Sequence, residues 1–115
     1  MAVTAQASGS QTATINVEHT LAAVAVAGVF SLHVDTVNMA AGDLLELRLY
    51  QIILAGGTAR VAFYQQYIDA QSADDLIKLS PPIGNELTDA NSLKFTLKQV
   101  LGTGRVFPWK VLSYT

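Results

Sequence analysis

Ser31, His33 and Asp35 stand two residues apart and supply the three side-chain types of a hydrolase triad. On an extended strand, residues i and i+2 leave the same face about 6.6–7 Å apart, whereas a triad needs consecutive hydrogen bonds of about 2.6–3.2 Å. Parallel side chains on one strand are expected to miss that geometry. The trio therefore reads as a polar strand face turned to solvent or to another subunit. A metal alternative would use His33 and Asp35 with His19 from a second strand. Catalytic zinc takes three protein ligands and an open position, and nothing in the spacing makes these three converge, so no metal and no other cofactor is expected. Gly102-Thr-Gly-Arg105 resembles a fragment of a phosphate-binding loop. It lacks the strand–loop–helix setting and the Gly-Lys-Ser/Thr ending of a nucleotide site and reads as a tight turn.

The aromatic residues Tyr50, Phe63, Tyr64, Tyr67, Trp109 and Tyr114 could form a stacking platform for sugars or bases. Phe63 and Tyr67 share one strand parity and are expected in the core with Phe95. Tyr50 and Tyr64 have the opposite parity, beside Arg48 and Gln66. Aromatic residues and arginine are enriched at interface cores, so Arg48, Tyr50, Tyr64, Gln66 and Trp109 form the expected interface set, with plain core or surface positions and a ligand platform as the alternatives.

The elements that must position these residues read as short strands. Met1 to Thr12 are small and polar, and such a segment is expected to be a flexible N-terminal arm. Two-residue periodicity predicts a strand over 13–20, while Leu21–Gly28 is ambiguous between a buried strand and a loop. Phe30, Leu32 and Val34 alternate with the polar trio. Leu45, Leu47 and Leu49 alternate with Glu46, Arg48 and Tyr50, and Gly56-Gly57 favours a hairpin to the run from Arg60 to Ile68. Leu76–Leu79 is a short candidate strand stopped by Pro81-Pro82, and 83–92 reads as loop. Leu93, Phe95 and Leu97 alternate with lysines and a threonine. The last run, Arg105–Tyr114, contains Pro108, which predicts an edge position or a strand starting just after it. Seven or eight short strands with no helical stripe predict an all-β fold, an antiparallel β-sandwich or jelly roll, with one domain over 13–115. Its core is expected to hold Phe30, Leu32, Val34, Leu45, Leu47, Leu49, Val61, Phe63, Leu93, Phe95 and Leu97.

Composition narrows the function class. Of 115 residues, 50% are hydrophobic and only 14% are charged, against about 25% charged in an ordinary soluble domain. A body this small has a high surface-to-volume ratio, and contiguous apolar surface marks a partner site, so self-association as a dimer or trimer is expected. The net charge of −2 and seven scattered basic residues give no footprint for nucleic acid. No cysteine is present, which excludes disulfides and thiolate chemistry. The apolar stretch Leu21–Phe30 is too short to span a bilayer, which takes about 20 residues, and no basic residue precedes it as an export signal requires. The chain reads as soluble, without enzymatic activity or a small-molecule substrate.

Phe30-Ser-Leu-His-Val-Asp35, Ala41-Gly-Asp-Leu-Leu-Glu-Leu-Arg48, Ser80-Pro-Pro-Ile83, Leu93-Lys-Phe-Thr-Leu-Lys-Gln99 and Arg105-Val-Phe-Pro-Trp-Lys110 together resemble small virion structural proteins of tailed bacteriophages. In size and strand character the chain is similar to their jelly-roll cement, or decoration, proteins. The resemblance covers about three quarters of the chain and is one of overall texture, without a diagnostic motif. It implies a homo-oligomeric β-sandwich at the capsid surface that binds the major capsid protein and reinforces the assembled shell. The alternatives are a tail or head–tail connector component and a carbohydrate-binding module of a receptor-binding protein.

Overall fold

The computed structural model describes residues 1–115 and contains strands and no helices. The strands are β1 (Val3–Thr12), β2 (Glu18–Val24), β3 (Gly28–Asp35), β4 (Leu44–Gln51), β5 (Arg60–Ile68), β6 (Ile77–Leu79), β7 (Ile83–Asn85), β8 (Leu93–Leu101) and β9 (Val106–Tyr114). They form two antiparallel sheets, β1-β9-β3-β6 with β7 also paired to β3, and β2-β8-β4-β5. Each sheet draws strands from both ends of the chain. With β7 set aside, this order is the eight-stranded double Greek key of a jelly roll.

Between the sheets lie Phe30, Leu32 and Val34 of β3, Leu45, Leu47 and Leu49 of β4, Leu93, Phe95 and Leu97 of β8, and Phe107 and Val111 of β9, all buried. Each such side chain contributes about 1.5–3 kcal/mol by leaving water. The alternation anticipated nine of these eleven. Phe63 of β5 is half-buried against the cluster together with Tyr67. Val61 departs from expectation and is 49% exposed. The β4–β5 register pairs Leu49 with Phe63 but Tyr50 with Val61, so one extra residue intervenes on β5. A bulge of this kind reverses parity beyond it, and Val61 joins Tyr50 on the outer face.

Residues 1–12 are a further correction. They form no loose arm: β1 pairs antiparallel with β9 from Val3↔Tyr114 to Thr12↔Val106, and Ala2 and Thr115 exchange two further backbone bonds. Its side chains bury little, so the strand is held by main-chain hydrogen bonds to a partner at the far end of the sequence. The domain therefore includes this segment, and the strand count is nine.

Other boundaries shift for local reasons. Asn16 adopts φ 65° and Val17 N–H donates to Thr14 O at 3.1 Å, so a turn replaces the first part of the strand expected over 13–20, and β2 runs from Glu18 to Val24. The stretch 83–92, expected as loop, contributes β7. Asn85 of β7 fixes that corner, its Nδ2 donating to Val26 O at 2.8 Å and to Ser92 Oγ at 2.9 Å. Pro108 lies inside β9, an interior strand. The β3–β9 register ends at Trp109, so at Pro108 only β1 is paired with β9, and the expectation of an edge position holds locally.

The Gly102-Thr-Gly-Arg105 segment is a tight turn wrapped on the buried carboxylate of Asp43. Arg105 Nε donates to Asp43 Oδ2 at 2.8 Å and Ala40 N–H to the same oxygen at 2.9 Å. Gly102 has φ +95°, and a Cβ there would overlap Asp43 Oδ1. Burial opposes ionisation of Asp43, but these bonds outweigh it and hold its carboxyl below the usual carboxylate range.

Candidate docking face

The outer face of the β2-β8-β4-β5 sheet carries a lattice of mainly polar rows set by strand register, with an apolar row Leu101–Leu44–Ile68 at one end. One row runs Glu18–Lys98–Glu46–Gln66, the next Thr20–Thr96–Arg48–Tyr64, and the third Ala23–Lys94–Tyr50–Val61. Within it, Tyr50 donates to Glu18 Oε2 at 2.6 Å and Tyr64 to Glu46 Oε2 at 2.7 Å. Arg48 Nη2 pairs with Glu46 Oε1 at 3.0 Å, and its guanidinium lies 4.9 Å above the Tyr64 ring. Lys94 sits 4.6 Å above the Tyr50 ring. Desolvation opposes ionisation of Glu18 and Glu46, yet the tyrosine hydroxyls and nearby cations hold both below the usual range. The carboxylates in turn raise both tyrosine pKa values. Four of the five expected interface residues, Arg48, Tyr50, Tyr64 and Gln66, are brought together here.

Trp109 lies in the other sheet. Its indole covers Gly9 of β1, where an added Cβ would meet the ring at 3.4 Å, and packs against the core. Tyr114 is also in that sheet, so the aromatic residues form no single platform.

The outer face of the β1-β9-β3-β6 sheet has a different character. Its register places Val3–Tyr114–Val29–Gly84 in one row, Ala5–Leu112–Ser31 in the next, and Ser8–Lys110–His33–Leu79 in a third, with Ser10–Pro108 and Asp35–Ile77 beyond. Val3, Val29, Ile77 and Leu79 are exposed, as are Val37 and Val106 at the adjoining strand ends. The arrangement of β6 is the most informative. Ile77 and Leu79 are 50% and 55% exposed, while Lys78 between them is only 5% exposed. Lys78 pairs in register with Val34 of the core. It closes the open side of the sandwich, with Nζ 2.7 Å from Asp75 O, 3.0 Å from Asp75 Oδ2 and 4.9 Å from the Tyr67 ring. A solvated edge strand puts aliphatic residues in and lysine out; β6 does the reverse.

Ser31, His33 and Asp35 lie on this face. Ser31 Oγ is 3.0 Å from His33 Nε2 and 2.7 Å from the Tyr114 hydroxyl. The expectation that neighbours on one strand cannot close such a bond is therefore wrong for this pair, because the imidazole reaches along the strand. The third link is missing: Asp35 Oδ1 accepts the Val37 N–H at 3.0 Å, capping the end of its own strand. Ser31 is 2% exposed, so its hydroxyl is closed to an incoming substrate. Burial, followed by the charge of Lys110, lowers the His33 pKa and favours the neutral ring. His19 belongs to the other sheet, where its Nε2 accepts the Thr14 N–H at 3.1 Å, so the three candidate metal ligands do not converge.

Around His33 the face dips into an open trough of about 340 Å³, lined by Ser8, His33, Asp35, Ile77, Pro108 and Lys110 among others. Ile77 and Leu79 were not among the expected interface residues. The signal for them is slight: a three-residue strand whose parity is decided by its partner β3. Comparison with protein-family models, curated proteins and solved structures finds no match.

Proposed function

We propose that this chain is a structural subunit that packs, through the outer face of its β1-β9-β3-β6 sheet, onto another protein of a larger assembly, and that the assembly is a phage capsid on which it acts as a cement protein. The observation that carries the reading is the inverted strand β6, which buries Lys78 and exposes Ile77 and Leu79. Exposing two aliphatic side chains is unfavourable in water and favourable once a partner covers them. The trough beside them offers a recess for a partner side chain, and the neutral His33 leaves Lys110 and Asp35 as the face's formal charges. The choice of the major capsid protein as partner rests on the resemblance to phage virion proteins. The jelly roll adds a fold-level analogy, since that architecture recurs in viral capsid and lectin domains.

A cement protein works without chemistry. Many weak contacts repeated over a symmetric shell sum to tight attachment, and a protein that binds only the assembled state stabilises it by mass action. The test is to heat capsids with and without the protein and record the temperature of genome release. The expected result is a higher temperature with the protein, lost when Ile77→Asp and Leu79→Asp are introduced together. Equal temperatures would overturn the cement reading, and a copy number too low to cover the shell would move the protein to a connector or tail position.

A further inference from the structure

The edges of the two sheets are unequally protected. The ladder of β1 is interrupted between Ala5 and Ala7, and that of β2 between Thr20 and Ala22. β6 and β7 have three residues each, with Pro81-Pro82 between them. Bulges, short strands and prolines are the devices by which proteins block strand addition. β5 has nine residues, and from Phe63 to Ile68 its pairing with β4 is unbroken while its other side is unpaired. No charged residue occurs between Arg60 and Asp69, and the segment Val-Ala-Phe-Tyr-Gln-Gln-Tyr-Ile is rich in β-forming residues.

We infer that β5 is a self-association edge, at which two copies of this chain join antiparallel about a two-fold axis through Gln65 to make one continuous eight-stranded sheet. Phe63, Gln65 and Tyr67 lie opposite the core residues Leu49, Leu47 and Leu45, and Tyr64 and Gln66 lie opposite Arg48 and Glu46. A two-fold axis normal to the sheet keeps equivalent faces on the same side, so residues of like parity must meet. With Gln65 on the axis, Phe63 meets the partner's Tyr67, Tyr64 meets the partner's Gln66, and the two Gln65 amides face each other. Aromatic pairs of this kind are among the stabilising cross-strand contacts. Moving the axis by one residue breaks the aromatic pair: an axis at Tyr64 sets Phe63 against Gln65, and an axis at Gln66 sets Tyr67 against Gln65. The half-buried Phe63 and Tyr67 would gain cover from the second copy, extending the core across the junction.

Charge selects the same orientation. Arg60 begins the strand, while Asp69, Asp74 and Asp75 follow its end. Antiparallel pairing brings each Arg60 end to the acidic end of the other copy, whereas parallel pairing would set like charges together. The inference does not depend on the capsid reading, because β5 belongs to the sheet that does not carry Ile77 and Leu79.

The experiment is sedimentation of the full chain over a concentration series, combined with cysteine cross-linking in a protein that has no cysteine of its own. The wild-type chain is expected to dimerise. Gln65→Lys sets like charges opposite one another and should raise the dimer dissociation constant about fivefold. Gln65→Glu should do the same, and mixing the two variants should restore dimers. Under mild oxidation Gln65→Cys is expected to cross-link to itself, because directly opposed residues fall within disulfide reach. Tyr64→Cys and Gln66→Cys should cross-link when mixed, with little linkage of either alone. Far-ultraviolet circular dichroism checks that each variant keeps its sheet content. A wild-type chain that stays monomeric throughout, or a dimer indifferent to Gln65→Lys and lacking the Gln65→Cys linkage, overturns the inference.

Discussion

The two outer faces of this sandwich rest on the same core yet differ in how their polar groups are arranged. On the β2-β8-β4-β5 face, Glu18, Glu46, Arg48, Lys94, Tyr50 and Tyr64 satisfy one another through short hydrogen bonds and ring contacts. On the β1-β9-β3-β6 face, Val3, Val29, Ile77 and Leu79 stand open around a small polar centre of Ser31, His33 and Tyr114. Most polar groups of the first face are paired with one another, although Arg48 Nη1 and Thr96 Oγ1 are buried without a partner and Val61, Ile68 and Leu101 are exposed around the lattice. The second retains an unsatisfied hydrophobic surface. Arginine and tyrosine, which are enriched at interface cores, lie here in a hydrogen-bonded lattice, whereas the proposed docking rests on the bland aliphatic pair of β6.

The largest expected effect falls on the frame beneath both faces. Phe95→Ala removes a fully buried ring from β8 and should cost about 3–5 kcal/mol, read as a fall in the urea midpoint. Next is the polar lattice. Arg48→Ala leaves Glu46 without its cation and uncovers the Tyr64 ring. Because the pair is partly solvated, the cost should be about 1 kcal/mol. A cost near that of Phe95→Ala would mean that the lattice is as rigid as the core.

Ile77→Asp and Leu79→Asp sharpen the contrast. Both positions face solvent in the isolated chain, so each change should move its stability by no more than about 0.5 kcal/mol. Attachment to the partner surface should be lost nonetheless. A large loss of stability would show that these side chains pack within the chain itself.

The smallest effect is titration. His33 binds its proton less readily in the folded state than in the unfolded chain. The unfolded state then holds more protons below the ordinary histidine range, so stability falls as pH drops through about 6.5. Asp43, Glu18 and Glu46 have lowered values; their contribution is present above the unfolded carboxylate pKa and is lost further into acid. Urea midpoints measured against pH should therefore decline in two stages, and His33→Gln should remove the first.

Nine core positions, the all-β class and the sandwich were legible in the sequence because alternation records which side of a strand is buried, whatever its partner. The exceptions are equally physical. Val61 follows the alternation in the sequence, but a bulge at Ala62 turned it outward. β1 carries no apolar rhythm, and its place is decided by backbone bonds to β9, about a hundred residues away. The parity of β6 was set by its register with β3, which put Lys78 inside and two aliphatic residues outside. The sequence by itself determined the amount of apolar surface and the period at which it recurs. Which strands met, in which register, and therefore which apolar residues were left exposed, was decided only by the tertiary structure, because a shift of one residue in pairing exchanges the two faces of a strand without changing its composition.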